Sequence, residues 1–285
     1  MNVELATCNL EGPAIGGAFD SHAHFGDDWR AVLLRSREAG MAGLVAVGCD
    51  ARANAFALAV ARAEPSFALL ALGFDYSSGV TPDEAVAILR HEGAVLERGF
   101  GGAAPGRCPT LSLAAIGEIG LDYSHPGADP VAQRALFERQ VALAAEWGLP
   151  VIVHSREAAA DTLAVLRAVG SRALAAVGRL GVLHCFVGDR GFAEEVLSLG
   201  MMVSLSGIVT FRNAEALRAA AETIPSDRLL VETDSPYLAP VPLRGRVNEP
   251  AFVVHTIRCL AALRGTSPEA LAIQTTSNAL RLFRR

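Results

Sequence analysis

The chain has 285 residues, of which 51% are hydrophobic and 19% charged, with a formal net charge of −5. That is ample apolar material for one large core and argues against disorder, while the acidic balance excludes a broad basic surface for nucleic acid and leaves only a local arginine cluster at a cleft. All 25 basic residues are arginines, which excludes a Schiff-base lysine, a P-loop lysine and a carboxylated lysine between two metals.

Short apolar or β-branched runs alternate with longer stretches of helical character. In chain order the expected strands and helices are strand 18–24, helix 28–40, strand 43–47, helix 52–63, strand 68–72, helix 82–98, strand 115–119, helix 131–147, strand 150–154, helix 156–169, strand 182–184, helix 190–199, strand 202–205, helix 213–223 and strand 229–233. The sequence TPDE provides Thr81 as a cap, Pro82 in the first turn and Glu84 to close a capping box; SPEA at 267 looks like a repeat of that arrangement. Eight strand–helix alternations imply a parallel sheet with right-handed crossovers. No GxGxxG follows the first strand, so the expected fold class is α/β, a single-domain (β/α)8 TIM-type barrel and not a doubly wound open sheet. Residues 1–17 read as an N-terminal extension, 18–285 as the barrel domain with terminal helices outside it, and 97–110, ERGFGGAAPGRCPT, as a surface loop.

No run reaches the roughly 18 apolar residues of a membrane span. The opening segment carries Glu4 and no basic residue before its apolar stretch, unlike a signal peptide. Cys8, Cys49, Cys108, Cys185 and Cys259 are scattered and form no CxxC pair. Neither a disulfide framework nor a zinc finger is expected, and a reducing cytoplasm is the simplest location.

The rare polar residues fall where strands end. In GAFDSHAHFGD, strand alternation would point Asp20, His22 and His24 to one face. Glu118 ends the fourth strand in AIGEIGLDY, His154 the fifth in PVIVHSR, His184 the sixth in VLHCF, and Asp234 the eighth in LLVETDSPY. A barrel carries its chemistry at that end. A single histidine there is more often structural, Glu118 could sit in an ion pair, and Asp234 could cap a helix. Together, four imidazoles and two carboxylates at one mouth have no evident structural purpose, and burying them without a cation would cost several kcal/mol. His91 and His255 read as helix residues in surface or packing roles, whereas His125, in a Pro/Gly loop, is near enough to Glu118 to touch substrate.

The blocks DSHAHF, AIGEIGLDY, PVIVHSREA, VLHCFVG, LLVETDSPYLAP and RGRVNEPAFVVHT, with the closing TTSNALRLF, resemble the TatD-type metal-dependent deoxyribonucleases of the amidohydrolase superfamily over residues 18–283. The resemblance implies a metal-dependent hydrolase on a distorted barrel that cleaves DNA phosphodiester bonds. It assigns His22, His24 and Asp234 to one divalent metal, His154 and His184 to a second, and Glu118 to the bridge, with Asp234 also accepting the proton of the attacking water. Glu118 and Asp234 would then be the catalytic pair. Imidazole and carboxylate ligands suit Zn, Mn, Fe or Ni, and Mg less well. Arg156, Arg244 and Arg246 are the expected phosphate contacts, since guanidinium forks match phosphate geometry; otherwise they would be solvated or paired with Glu157 or Glu249. DNA is thus the expected substrate, with no membrane and no stable protein partner implied.

The sequence departs from the family at one telling place. The usual Gly-x-His-Pro after the third strand is LGFDYS here, with Asp75 and Tyr76 in the last two positions. An acid there would repel a phosphodiester. That keeps open an alternative substrate, a non-nucleic-acid ester or amide, at the same metal centre.

Overall fold

The computed structural model describes residues 15–98, 111–177 and 180–284. Residues 1–14 of the N-terminal extension, and the loop expected at 97–110 from residue 99 onward, lie outside the described residues. Eight strands run in parallel in the order of the chain: β1 (Phe19–Ala23), β2 (Gly43–Val47), β3 (Ala68–Leu72), β4 (Leu113–Asp122), β5 (Val151–Arg156), β6 (Gly181–Leu183), β7 (Met202–Leu205) and β8 (Leu229–Val231). The ring closes through a parallel bridge between Ala23 and Ser235, flanked by His24 N to Ser235 O at 2.8 Å and Asp234 N to His22 O at 3.0 Å. The expected (β/α)8 barrel is the fold.

Helices α1 (Trp29–Glu38), α2 (Ala51–Ala63), α3 (Pro82–Arg98), α4 (Pro130–Trp147), α5 (Ala159–Val177), α6 (Arg190–Ser198) and α7 (Glu215–Thr223) follow the first seven strands, and α8 (Val253–Leu263) and α9 (Pro268–Phe283) follow the eighth. The strands are buried on both faces, and alternation sorts their residues into two cores. Leu44, Ala46, Val151, Val153, Leu229 and Val231 pack in the larger cluster with the helices. Val45, Val47, Ile152, Val182 and Leu230 belong to a smaller cluster with Phe19. Leu282 and Phe283 of α9 join that smaller cluster, so the last helix is not merely external.

Three local expectations need correction. Strands β4 and β5 run past Ile119 and His154, because Gly120, Leu121 and Asp122 pair with His154, Ser155 and Arg156; α5 therefore starts at Ala159 and not at 156. The capping box forms at Thr81, whose N–H donates to Glu84 at 2.9 Å while Glu84 N donates back to the Thr81 hydroxyl at 3.3 Å. At Ser267 only half of it forms: the hydroxyl accepts from Ala270 N at 3.1 Å, and the acid, Glu269, stands one residue too early to reciprocate. Finally, the register of β1 shifts between Asp20 and Ala23. Asp20 consequently leaves the company of His22 and His24 and accepts hydrogen bonds from the backbone N–H of His22 at 3.1 Å and of Thr233 at 2.9 Å.

Candidate metal centre

His154 and His184 share the parity of Ile152 and Val182, which face the smaller cluster, so strand alternation alone turns both imidazoles inward. Glu118 needs more. An irregularity in β4 between Ile116 and Ile119 resets its alternation. Glycines on either side admit the neighbouring strand: a Cβ on Gly117 would stand 2.6 Å from the Ile152 Cβ, and one on Gly120, at φ +139°, only 2.1 Å from the His154 carbonyl oxygen. Asp234 sits one turn beyond β8 with φ 57° and Cys185, next to His184, with φ 44°. Both are left-handed conformations that a non-glycine residue adopts at some cost, and both stand beside the inward-facing imidazoles.

All six expected residues converge. Glu118 Oε2 lies 3.4 Å from His22 Nε2 and 3.1 Å from His24 Nε2. Its other oxygen, Oε1, lies 3.2 Å from His154 Nδ1 and 3.0 Å from His184 Nε2. One carboxylate thus spans two imidazole pairs. Asp234 Oδ1 approaches only the first pair, at 3.9 Å from His22 and 3.7 Å from His24. Within the pairs the nitrogens face each other, at 3.0 Å between His22 and His24 and 3.3 Å between His154 and His184.

The far nitrogens explain which way the near ones point. His24 Nδ1 lies 3.0 Å from the carbonyl oxygen of Val47, so in the neutral ring it carries the proton and Nε2 offers its lone pair to the centre. His154 is reversed: Nε2 lies 3.3 Å from Asp122 Oδ2, leaving Nδ1 inward. His184 Nδ1 lies 3.4 Å from Glu232 Oε1, which also accepts from Cys185 N at 2.6 Å. His22 is wholly buried, stacked on His184 at 3.9 Å, and its Nδ1 has no hydrogen-bond partner.

The electrostatics are those of a crowded, desolvated cluster. Burial, with the charge of His184 next, pushes His22 down to about 4. Burial also works against charging of His24 and His184, but the hydrogen bonds and charge of Glu118 outweigh it and raise both. Glu118 itself is held well below the carboxylate range: burial opposes this, and the facing imidazoles prevail. Burial lifts Asp234 to about 6, against the pull of His184 and His24.

The donor set fits a divalent cation. Two nitrogens aimed at each other can share at most one proton, so each pair leaves a lone pair facing a carboxylate oxygen. Mixed imidazole and carboxylate donors are the ligand types of first-row divalent ions. Candidate three-ligand groups are His22, His24 and Asp234, and Glu118, His154 and His184; two more are His22, His184 and Glu232, and His24, Cys49 and Glu118.

Sequence reasoning missed the residues behind this shell. Asp20, Asp122 and Glu232 are each 0% exposed and orient a backbone segment or an imidazole. Glu232, two residues before Asp234 in VETD, has the right parity to face the barrel; an acid at that spacing in a buried strand was the available signal. Cys49 joins the group with His24 and Glu118, and burial together with the charge of Glu118 raises its thiol far above the ordinary range.

The expected phosphate contacts are not part of the cluster. Arg156 leans on Asp122 at 3.6 Å. Arg244 lies over the ring of Phe211, 3.9 Å from its centroid. Glu249 is taken by Arg35 through two hydrogen bonds of 2.7 and 2.9 Å, and Asn248 ties its loop to the Thr233 and Tyr237 carbonyls at 2.9 and 2.6 Å. Asp75 lies near Glu118, whose charge adds to burial in raising its carboxyl, and it accepts from Ser77 N and Oγ, both at 2.7 Å.

The chain resembles known proteins over this whole architecture. It is 33% identical over 271 residues to YabD of Bacillus subtilis, an uncharacterized metal-dependent hydrolase, covering 93% of this chain and 98% of YabD. It is 37% identical over 264 residues to the protein named 3'-5' ssDNA/RNA exonuclease TatD of Erwinia tasmaniensis, with coverage of 91% and 95%. With the metal-dependent hydrolase YcfH of Escherichia coli K12 it shares 52% over 171 residues, 60% of this chain but only 63% of the YcfH length. The crystal structure of the TatD homolog YjjV from Escherichia coli K12 superposes with a TM-score of 0.79 at 27% identity, over 94% of this chain and 98% of YjjV. A family model described as TatD related DNase matches residues 19–284, from the first strand to the end of the last helix, and the chain belongs to that family.

Proposed function

We propose that the protein is a metal-dependent nuclease of the TatD type that hydrolyses DNA phosphodiester bonds at two divalent ions. The carrying observation is Glu118, whose two oxygens each face a different pair of imidazole nitrogens. His22, His24 and Asp234 would hold one ion, His154 and His184 the other, with Glu118 common to both. A bound pair of such ions activates water as a nucleophile near neutral pH and polarises a phosphoryl oxygen. The mixed donors leave Zn, Mn, Fe and Ni as better choices than Mg. The names of the Erwinia and Edwardsiella relatives, 3'-5' ssDNA/RNA exonuclease, support a nucleic-acid substrate.

The chain's own residues divide the remaining work. Asp234 Oδ1 faces only the His22–His24 side and is the group placed to orient the attacking water and take its proton. Asp122 and Glu232 fix the rings of His154 and His184 from behind. Arg156, Arg244 and Arg246 lie outside the buried cluster and would steer the backbone phosphates. Among the described residues no helix is long and apolar enough to cross a membrane, and Cys49, Cys185 and Cys259 are in no disulfide, which agrees with a reducing cytoplasm.

Asp75 beside Glu118 favours the second reading, a hydrolase of uncharged esters or amides. One preparation decides between them: metal content is measured by elemental analysis, and activity on end-labelled single-stranded DNA and on a panel of small esters. The nuclease reading expects about two ions per chain and degradation of DNA. Turnover of esters with intact DNA overturns it.

A further inference from the structure

Tyr76 and His125 have no part in the metal cluster, yet they stand beside it. The loop after β3 carries Tyr76 and the loop after β4 carries His125. The tyrosine hydroxyl and His125 Nε2 are hydrogen-bonded at 2.7 Å, and the two rings are nearly parallel, with centroids 5.2 Å apart at 29°. The Tyr76 ring is also 6.3 Å from that of His154. An aromatic pair therefore bridges two loops at the rim of the metal centre, and His125 is 52% exposed there.

Behind the pair lies a cleft of about 500 Å³ between the two loops, walled by Val80, Pro82, Pro126 and Leu136 among others. No arginine lines it. Its polar side chains are already engaged: Asp129 caps α4 by accepting from Val131 and Ala132, and Gln133 is bonded to both backbone groups of Asp122. With Asp75 next to the tyrosine, the lip is acidic where a phosphate would need a cation. What the cleft offers is apolar wall and aromatic surface adjoining the place where a phosphodiester would be cut.

Resting on the nuclease reading above, we infer that Tyr76 and His125 form a nucleobase subsite: the base next to the scissile phosphate stacks on the pair and enters the cleft. An uncharged planar heterocycle matches both the aromatic lip and the lack of cations, and stacking tolerates any base. The replacement of a His-Pro by Asp75-Tyr76 then has a direct consequence. It repels a second phosphate from this lip and supplies a ring for the base.

The test measures binding of the holoenzyme to short phosphorothioate single strands that are intact or carry an abasic residue at one or the other end. Tyr76→Ala is expected to weaken binding of the intact strand by about 5- to 150-fold, the range spanned by one base–aromatic stack. The same variant should change little for the strand that is abasic at the end being digested. Tyr76→Phe, which keeps the ring and loses the hydroxyl, should stay within a few fold of wild type on both, and the melting temperature of each variant shows that the fold is kept. Equal weakening of intact and abasic strands by Tyr76→Ala, or none in either, overturns the subsite while DNA cleavage by the wild type leaves the nuclease reading standing. Failure of the wild type to bind or cut any strand overturns both.

Discussion

The two zones of the barrel mouth are built on different principles. In the buried centre every inward nitrogen but that of His22 has its ring fixed from behind, by the Val47 carbonyl, by Asp122 or by Glu232. At the rim, Arg156 keeps a single 3.6 Å approach to Asp122 with 46% of its side chain exposed, and Arg244 rests on one aromatic ring. Burial makes the difference. A misplaced polar group in the centre loses water as well as its partner, whereas one at the rim can fall back on solvent. Changes in the centre should therefore abolish, and changes at the rim should only tune.

The largest effect is expected at the residue both imidazole pairs share. Glu118→Gln replaces a carboxylate that faces four nitrogens with a neutral amide, one of whose ends is a donor. Metal content by elemental analysis should fall at both positions and DNA cleavage should disappear. His22→Ala should chiefly affect the position shared with His24 and Asp234. Chelation should lower the melting temperature of the wild type, because ions that bind only the folded chain stabilise it, and should lower that of Glu118→Gln much less. A Glu118→Gln protein with full metal content and activity would falsify the bridging role.

Asp234→Asn comes next. The amide keeps the shape but cannot take a proton, so kcat should drop by about 10²–10⁴-fold with KM little altered. A normal kcat with a raised KM would instead make Asp234 a substrate-binding group.

The supporting acids mark the border between the zones. Glu232→Gln should keep the hydrogen bond from Cys185 N but weaken the hold on His184, and Asp122→Asn should do the same to His154. Losses of about 10–100-fold in metal affinity are expected, as for other groups that orient a ligating histidine. Titration of the apo protein with a divalent ion reads this directly, and unchanged affinity in both variants would show that the rings hold their positions without help.

These supporting acids were also the part hardest to read from sequence. His22, His24, His154 and His184 stand out because imidazoles are rare and end apolar runs, and Glu118 and Asp234 because they end strands in the same way. Nothing local distinguishes Asp122 in GLDY or Glu232 in VETD from a surface acid, since their partners, His154 and His184, lie far off in the chain. The same holds for Asp20. Alternation places it with His22 and His24, and only the register shift of β1 against β2, a property of the closed ring, turns it towards Thr233. The barrel itself was legible from repeated apolar runs of strand length, whereas the extra residues of β4 and β5 depend on their pairing with each other.

The smallest effects are expected at the rim, and they separate a DNA substrate from an uncharged one. Each phosphate neutralised on single-stranded DNA contributes about 0.7 to the slope of log affinity against log salt. The net charge of −5 leaves little to add from elsewhere, so the wild-type slope should be shallow. Replacing Arg244 and Arg246 together by Gln should reduce it by about one unit if at least one contact is made. Arg244 lies on Phe211 and Arg246 is in the same exposed loop, so neither change disturbs the buried centre and kcat on a bound strand should hold. Asp75→His should act in the opposite sense, removing a negative charge beside Glu118 and tightening DNA. Both variants are to be compared with wild type on a non-hydrolysed strand across a salt series. A slope unchanged by the arginine pair would place the phosphate contacts elsewhere, with Arg156 as the next residue to replace. No slope in any of the proteins, together with turnover of a small uncharged ester, would transfer the centre to the second substrate class.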